Sequence, residues 1–474
     1  MPWTPTLVVA AVGAYVWLYS SWTVRNHRGL ATFGFDLGIF DQGVWLLSRF
    51  REPFVTVRGL NLFGDHTSFF LLLLVPLYWV VPSAATLLVA QTVALGSGGV
   101  AAFLLARRVL RDDALAVPVG LAYLAMPAVG WINWENFHPD AFIVPLALFA
   151  FFFAASGRWA PFLVTVSLML LVKEDVALLT FPLGLYVAAV HHRPVGLLVA
   201  GLSLAWFALA LWVVLPAFGP GPIYTGRLAF GGPVGLARAV VDAPGEVLRL
   251  LAREGRPWYV WQLLAPAGLL PLLAPGTLLV ALPALLANLL STFPYQFQLH
   301  YHYSAPIVPV VVAGAVVGVG RARSRALRTG LIGLMVAAAF SAANVWGPTP
   351  WSRSPGFLAD VTSPQARERI ASVREAVALI PPGASVSAHY LLVPHLSHRV
   401  EIYEFPNPWR GTYWGDYRYE GRPVPVDLAV DYVILPADLS AHPDYGEVLA
   451  RLRPQYLTVY RSPWVQLLRR RPAS

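Results

Sequence analysis

Apolar residues come in long blocks separated by short polar breaks, and the pattern holds from the start of the chain to Trp346. The blocks run to about 15 to 23 residues, enough in most cases for a helix to cross a hydrocarbon core about 30 Å thick. They predict spans at 84–106, 114–130, 141–155, 159–172, 176–190 and 194–216, and a second series at 258–273, 277–290, 303–320 and 331–345. Residues 1–24 lack a basic start and a small-residue cleavage site, so they read as an uncleaved first helix, which brings the spans to about eleven. Between these blocks, Phe40, Val44 and Leu47 recur at helical spacing and predict an amphipathic helix over 37–50 along the bilayer surface, with Asp36 capping its start. Residues 69–81 are apolar but short and interrupted by Pro76 and Pro82, so they are expected to dip into the membrane without crossing. Residues 217–257 read as a long external loop with an amphipathic helix near 236–253, placed to cover an outer site.

Beyond Trp346 the period changes. Ile370, Val373, Val377 and Ile380 form one helical face, and 384–388, 400–405, 432–435 and 457–460 read as strands. The expected architecture is mainly α: a polytopic helical membrane domain over 1–346, with a first external loop at 25–83, followed by a small soluble α/β domain over 347–474.

Composition sharpens the class. The chain is 57% hydrophobic and 12% charged, where an average soluble domain carries about 25% charged residues. The absence of cysteine excludes a disulfide framework, a thiolate metal site and a cysteine nucleophile. A net charge of +9, mostly from arginine at short loops, points to topology and lipid headgroups and away from nucleic acid. Arg107, Arg108, Arg111, Arg158, Arg193, Arg321, Arg323, Arg325 and Arg328 fall on one side of the alternating spans, predicted to be cytoplasmic. Acids, histidines and aromatics gather on the other, in WINWENFHPD (131–140), Lys173-Glu174-Asp175 and TFPYQFQLHYH (292–302). Residues 25–66 carry Arg25, Arg28, Arg49, Arg51 and Arg58, which by the same count favour the cytoplasm; the poor span at 69–81 places them outside instead. The expected location is the cell membrane, with the active face and the C-terminal domain extracytoplasmic.

Carboxylates held against a membrane are costly unless used, which directs attention to Phe35-Asp36-Leu37-Gly38-Ile39-Phe40-Asp41-Gln42. Asp36 is a candidate base with Asp41 as support or alternative; the competing reading is a helix cap. The two acids, five residues apart, are not expected to share a ligand. Asp65 and His66 suit a metal or substrate, or an ordinary turn. Glu135, His138 and Asp140 suit a divalent metal or a phosphate-adjacent cluster, or a polar loop. Lys173 is placed to meet a lipid phosphate beside Glu174 and Asp175, or the three form a neutralised turn; His300 and His302 suit phosphate recognition or an interfacial belt.

FDLGIFDQ, together with Gly64-Asp65-His66, FHPD at 137–140, KED at 173–175 and IPPGASVSAHYLLVPHLSHR at 380–399, resembles a bacterial family of predicted membrane proteins of unknown function. The order of parts, a first helix, an external loop opening on an acidic motif, a surface helix and a helix ending in Arg107-Arg108, is similar to the GT-C superfamily of membrane glycosyltransferases. The resemblance implies inverting transfer of a sugar from a polyprenyl-phosphate donor to an envelope glycan, lipid or protein acceptor, with Asp36 at the position of the base. A transporter or lipid flippase is the alternative, disfavoured because charges lie at span ends and not at the midplane; a non-catalytic relative that binds a lipid or envelope partner is the third.

Overall fold

The computed structural model describes residues 3–353, 358–415, 417–425 and 428–472. Helix α1 (Trp3–Arg28) leads into a loop that kinks through Gly34–Gly38 and enters α2 (Ile39–Ser48). A short hairpin, β1 (Phe54–Val55) with β2 (Leu60–Asn61), and a broken apolar segment over Phe69–Val80 complete this first loop. The long helix α3 (Ala84–Leu110) follows, capped by the Ser83 hydroxyl and ending in Arg107 and Arg108, where cations suit the negative end of a helix dipole.

Five helices are long and apolar enough to cross a membrane: Thr4–Arg28, Ala84–Leu110, Arg193–Phe218, His302–Gly320 and Arg325–Trp346. A sixth span forms if Asp113–Ala125 and Pro127–Trp134 are joined across their 44° bend. That is fewer long helices than the eleven spans expected. The remaining apolar blocks fold as shorter helices, including Pro139–Ala155, Trp159–Leu170 and Pro275–Leu289. Proline explains several breaks: Pro127 starts a new helix after Met126, and Pro266, Pro271 and Pro275 divide the block predicted as 258–290. The expected helix at 236–253 is two, Pro233–Asp242 and Pro244–Leu251, split at Pro244.

After α4 (Arg325–Trp346), the C-terminal domain opens with α5 (Pro364–Ala378), capped by Ser363. Its five-stranded sheet runs in the order β4 (Ile402–Glu404), β3 (Val386–Ala388), β5 (Tyr432–Pro436), β7 (Val465–Arg470), β6 (Tyr456–Arg461). The first three are parallel and the last two antiparallel. Four strands lie where alternation placed them; β7 and the helix α6 (Pro443–Leu452) were not anticipated. One side of the sheet, through Val386, Ile402 and Ile434, continues into the core that includes Leu37, Val55 and Val57 of the first loop. The other side packs Val433 and Leu435 on Val448 and Leu449 of α6.

That shared core corrects the picture of α2. Ile39 to Val44, with Leu46 and Ser48, are buried, so α2 lies beneath protein and not along the bilayer surface. Its polar face is satisfied by the C-terminal domain: Gln42 Nε2 donates to Arg399 O (3.2 Å) and Val400 O (2.9 Å). Thr56 extends the seam, its hydroxyl donating to Ile402 O at 2.7 Å and accepting from Ile402 N at 2.8 Å.

Candidate active site

Asp36 does not cap α2. It sits inside the kink at φ 75°, ψ −87°, while the residue before α2, Gly38, makes no side-chain cap. Positive φ is rare for a residue with a Cβ and persists where surroundings impose it. Here Phe33 N donates to Asn136 Oδ1 (3.2 Å) and Gly34 N donates to Tyr390 O (2.7 Å), pinning the chain on two sides just before the turn. A Cβ on Gly34 would lie 2.7 Å from Glu404 Oε2 and 2.8 Å from Val393 Cβ, so glycine lets the C-terminal domain close on this segment.

The turn presents the Asp36 carboxylate to His138, whose Nε2 lies 3.2 Å from Asp36 Oδ2. His138 is buried and its Nδ1 is 3.0 Å from Glu135 O. The contact with Asp36 is an ion pair; its alignment falls outside hydrogen-bond geometry. Glu135 Oε2 accepts from His302 N (2.8 Å) and lies 3.2 Å from His302 Nδ1, while the His138 and His302 rings stack at 3.7 Å. Burial pushes the Glu135 carboxyl up to about 8 against the pull of His138. Burial opposes charge on His138 too, but the Asp36 and Glu135 carboxylates outweigh it and hold the imidazole up to about 9. Below that value a cation faces Asp36.

A cavity of about 330 Å³ opens over this group, lined by Asp36, Glu135, His302, Arg227, Glu404 and Tyr303 among others. Arg227 enters from the long loop. Its guanidinium lies 4.2 Å from the Tyr224 ring centroid and 4.4 Å from that of Phe293, with Nη1 3.4 Å from Tyr303 Oη, and it has no ion-pair partner among the described residues. Glu404 enters from the end of β4. Phe35 N–H bonds its carboxyl, burial pushes that carboxyl up to about 7, and Oε2 has no hydrogen-bond partner among the described residues.

The other candidates fall into place around this centre. Tyr224 Oη donates to Asp65 Oδ1 at 2.6 Å and its ring stacks on His66 at 4.7 Å. His66 Nδ1 meets Glu174 Oε1 at 2.7 Å, so Asp65, His66 and Glu174 form one group linked to Arg227 through Tyr224. Lys173 Nζ lies between Asp140 Oδ1 (3.6 Å) and Asp175 Oδ2 (3.4 Å), and these acids raise its basicity although burial opposes the charge. Two carboxylates already neutralise it, which leaves Arg227 as the cation lining the cavity. His300 packs edge-on to Trp131 at 4.4 Å and lines a neighbouring cavity of about 170 Å³.

Asp41 is elsewhere. It is fully buried and accepts from the hydroxyls of Tyr78 and Ser397, with His398 Nε2 at 3.1 Å. The second acid of the motif therefore ties the C-terminal domain to α2 and does not face the Asp36 cavity. Arg227 and Glu404 were missed in the sequence: the former is an isolated base in the Gly- and Pro-rich stretch 219–233, the latter an acid in an apolar strand, and that isolation was the available signal.

A family model described as predicted membrane protein (DUF2079) matches residues 26–427. No curated protein matches the chain. Two crystal structures of ArnT from Cupriavidus metallidurans, one bound to undecaprenyl phosphate and one in the apo state, share its fold. Each has a TM-score of 0.55 at 14% sequence identity, and each match covers 97% of both chains. The match to ArnT, a GT-C glycosyltransferase, bears out the fold that the order of motifs implied.

Proposed function

The chain belongs to the DUF2079 family of predicted membrane proteins, and from its fold and the Asp36 cavity we propose that it is an inverting membrane glycosyltransferase that moves a sugar from a polyprenyl-phosphate donor to an envelope acceptor outside the cytoplasm. The observation that carries this reading is the opposition of charge across one cavity: Asp36 held in a strained turn on one wall, and Arg227, free of carboxylate partners among the described residues, on another. The likeness to ArnT, one of whose structures is bound to undecaprenyl phosphate, supports the class of donor.

Asp36 takes the proton of the acceptor hydroxyl as the acceptor oxygen forms its bond to the anomeric carbon. The bond from that carbon to phosphate oxygen breaks with its electron pair on the phosphate, and Arg227 meets the charge that develops there. His138 fixes one oxygen of Asp36 through the ion pair, so the carboxylate needs little reorganisation to accept the proton. Glu404, held in its neutral form below about pH 7, offers a proton to a sugar hydroxyl from the roof of the cavity.

Glu135, His138 and His302 each offer one ligand atom, all within 4.8 Å of one another. Two imidazoles and a carboxylate suit zinc, and we propose this trio as the place of a divalent cation, which when bound would supply positive charge beside Asp36. Metal analysis of purified wild type and His302→Ala tests it: equal metal content in both contradicts the assignment.

The function itself is tested in proteoliposomes with labelled polyprenyl-phosphate sugars and envelope extract as acceptor. Label is expected to move to an extractable glycoconjugate with release of polyprenyl phosphate. No transfer from any donor in a panel, by protein that is monodisperse and thermally stable, would contradict it.

A further inference from the structure

We propose that the cleft between the outer end of α1 and the face of α5 binds the phosphate of an anionic membrane lipid headgroup. The cleft holds about 790 Å³ and is lined by four arginines, Arg25 and Arg28 from α1 and Arg367 and Arg374 from α5, with Ser20 and Ser21 adding hydroxyls. It shares no lining residue with the Asp36 cavity.

Four guanidiniums on one open cleft repel one another unless an anion lies between them. No carboxylate lines it: of the two acids on α5, Glu375 accepts from Tyr460 Oη at 2.8 Å, and Glu368 lies outside the lining. Arg25 Nε is buried with no hydrogen-bond partner among the described residues, a donor that a bound oxygen would satisfy. Arginine forks pair with phosphate oxygens in bidentate fashion, which matches the donor set to a phosphate mono- or diester.

Depth selects the source of that phosphate. Arg25 and Arg28 occupy the last turn of a membrane-length helix, and Trp17, two turns earlier, is exposed as interfacial tryptophans are. The cleft therefore sits where headgroups lie, and Val24 and Ile370 in its lining give the acyl side of a lipid an apolar wall. A lipid seated there would bridge α1 and the C-terminal domain.

The test uses full-length protein in phosphatidylcholine nanodiscs with and without phosphatidylglycerol, read by native mass spectrometry for retained lipid. Phosphatidylglycerol is expected to be retained in preference to phosphatidylcholine, and Arg28→Gln with Arg367→Gln to weaken that retention by about tenfold, the loss of one charge-assisted contact. Arg49→Gln with Arg51→Gln removes the same charge from exposed positions outside the cleft and is expected to leave retention unchanged. Equal weakening by both pairs, or none by the first, overturns the site. Inorganic phosphate serves as competitor: failure to displace the lipid supports the headgroup, and full displacement at millimolar concentration overturns the lipid in favour of a free phosphate.

Discussion

At Asp36 the backbone holds a conformation that costs an ordinary residue about 1–3 kcal/mol, and the anchors that hold it come from two distant parts of the chain, Asn136 and Tyr390. The residue was legible in the sequence as an acid in an apolar frame, but its role as a cap was the wrong local reading: spacing shows that a polar residue precedes a helix, not which way its backbone turns. Glu404 was not legible at all, because a single acid at a strand end is common and only the fold brings it over Asp36. Its raised pKa makes a stability prediction. The folded state holds this proton more tightly than the unfolded chain, so stability falls as pH rises from the ordinary glutamate range through about 7. Glu404→Gln removes that loss, and thermal unfolding across pH is expected to show the variant gaining on wild type by up to about 3 kcal/mol above pH 7. A constant difference at all pH values would contradict it.

The element that organises the site is the first loop with α2, clamped between the helices and the C-terminal sheet. Its polar face, Asp41 and Gln42, read as solvent-facing because amphipathic periodicity does not distinguish water from a buried protein partner. Asp41→Ala strands the donors of Tyr78, Ser397 and His398. We expect a loss of about 2–4 kcal/mol and faster proteolysis after Trp346, while phosphatidylglycerol retention at the α1 cleft falls as the domain loosens. Gly34→Ala forces a Cβ to within 2.8 Å of Val393 at the same seam, and overpacking there is expected to cost about 1–3 kcal/mol with transfer reduced in parallel. Unchanged melting in either variant would show that the seam is not what holds α2.

Over the whole molecule, the boundary near Trp346 was legible from the change in period, and so were four of the strands, because alternation is a local signal. The return of the C-terminal domain onto residues 34–58 was not, since contacts more than 300 residues apart leave no periodic trace. The arginines of residues 25–66 illustrate the same limit. Arg58 is buried, its Nη1 donating to Tyr413 O at 2.5 Å and its Nε 3.5 Å from Asp65, so it serves internal structure where a loop count takes it as a topology signal. Removing residues 347–474 would expose the apolar face of α2 together with Gln42 and Asp41. The truncated chain is expected to aggregate in detergent, where gel filtration would show a void peak; a monodisperse membrane domain would contradict the shared core.

The central claim is that Asp36 takes the acceptor proton, and the most direct measurement is single-turnover sugar transfer by Asp36→Asn against wild type, at matched folding and donor binding. Asparagine keeps the shape and cannot accept the proton, so the account predicts a loss of about 10²–10⁴-fold in the transfer step with donor affinity nearly unchanged. Transfer at the wild-type rate by a well-folded Asp36→Asn protein would contradict it.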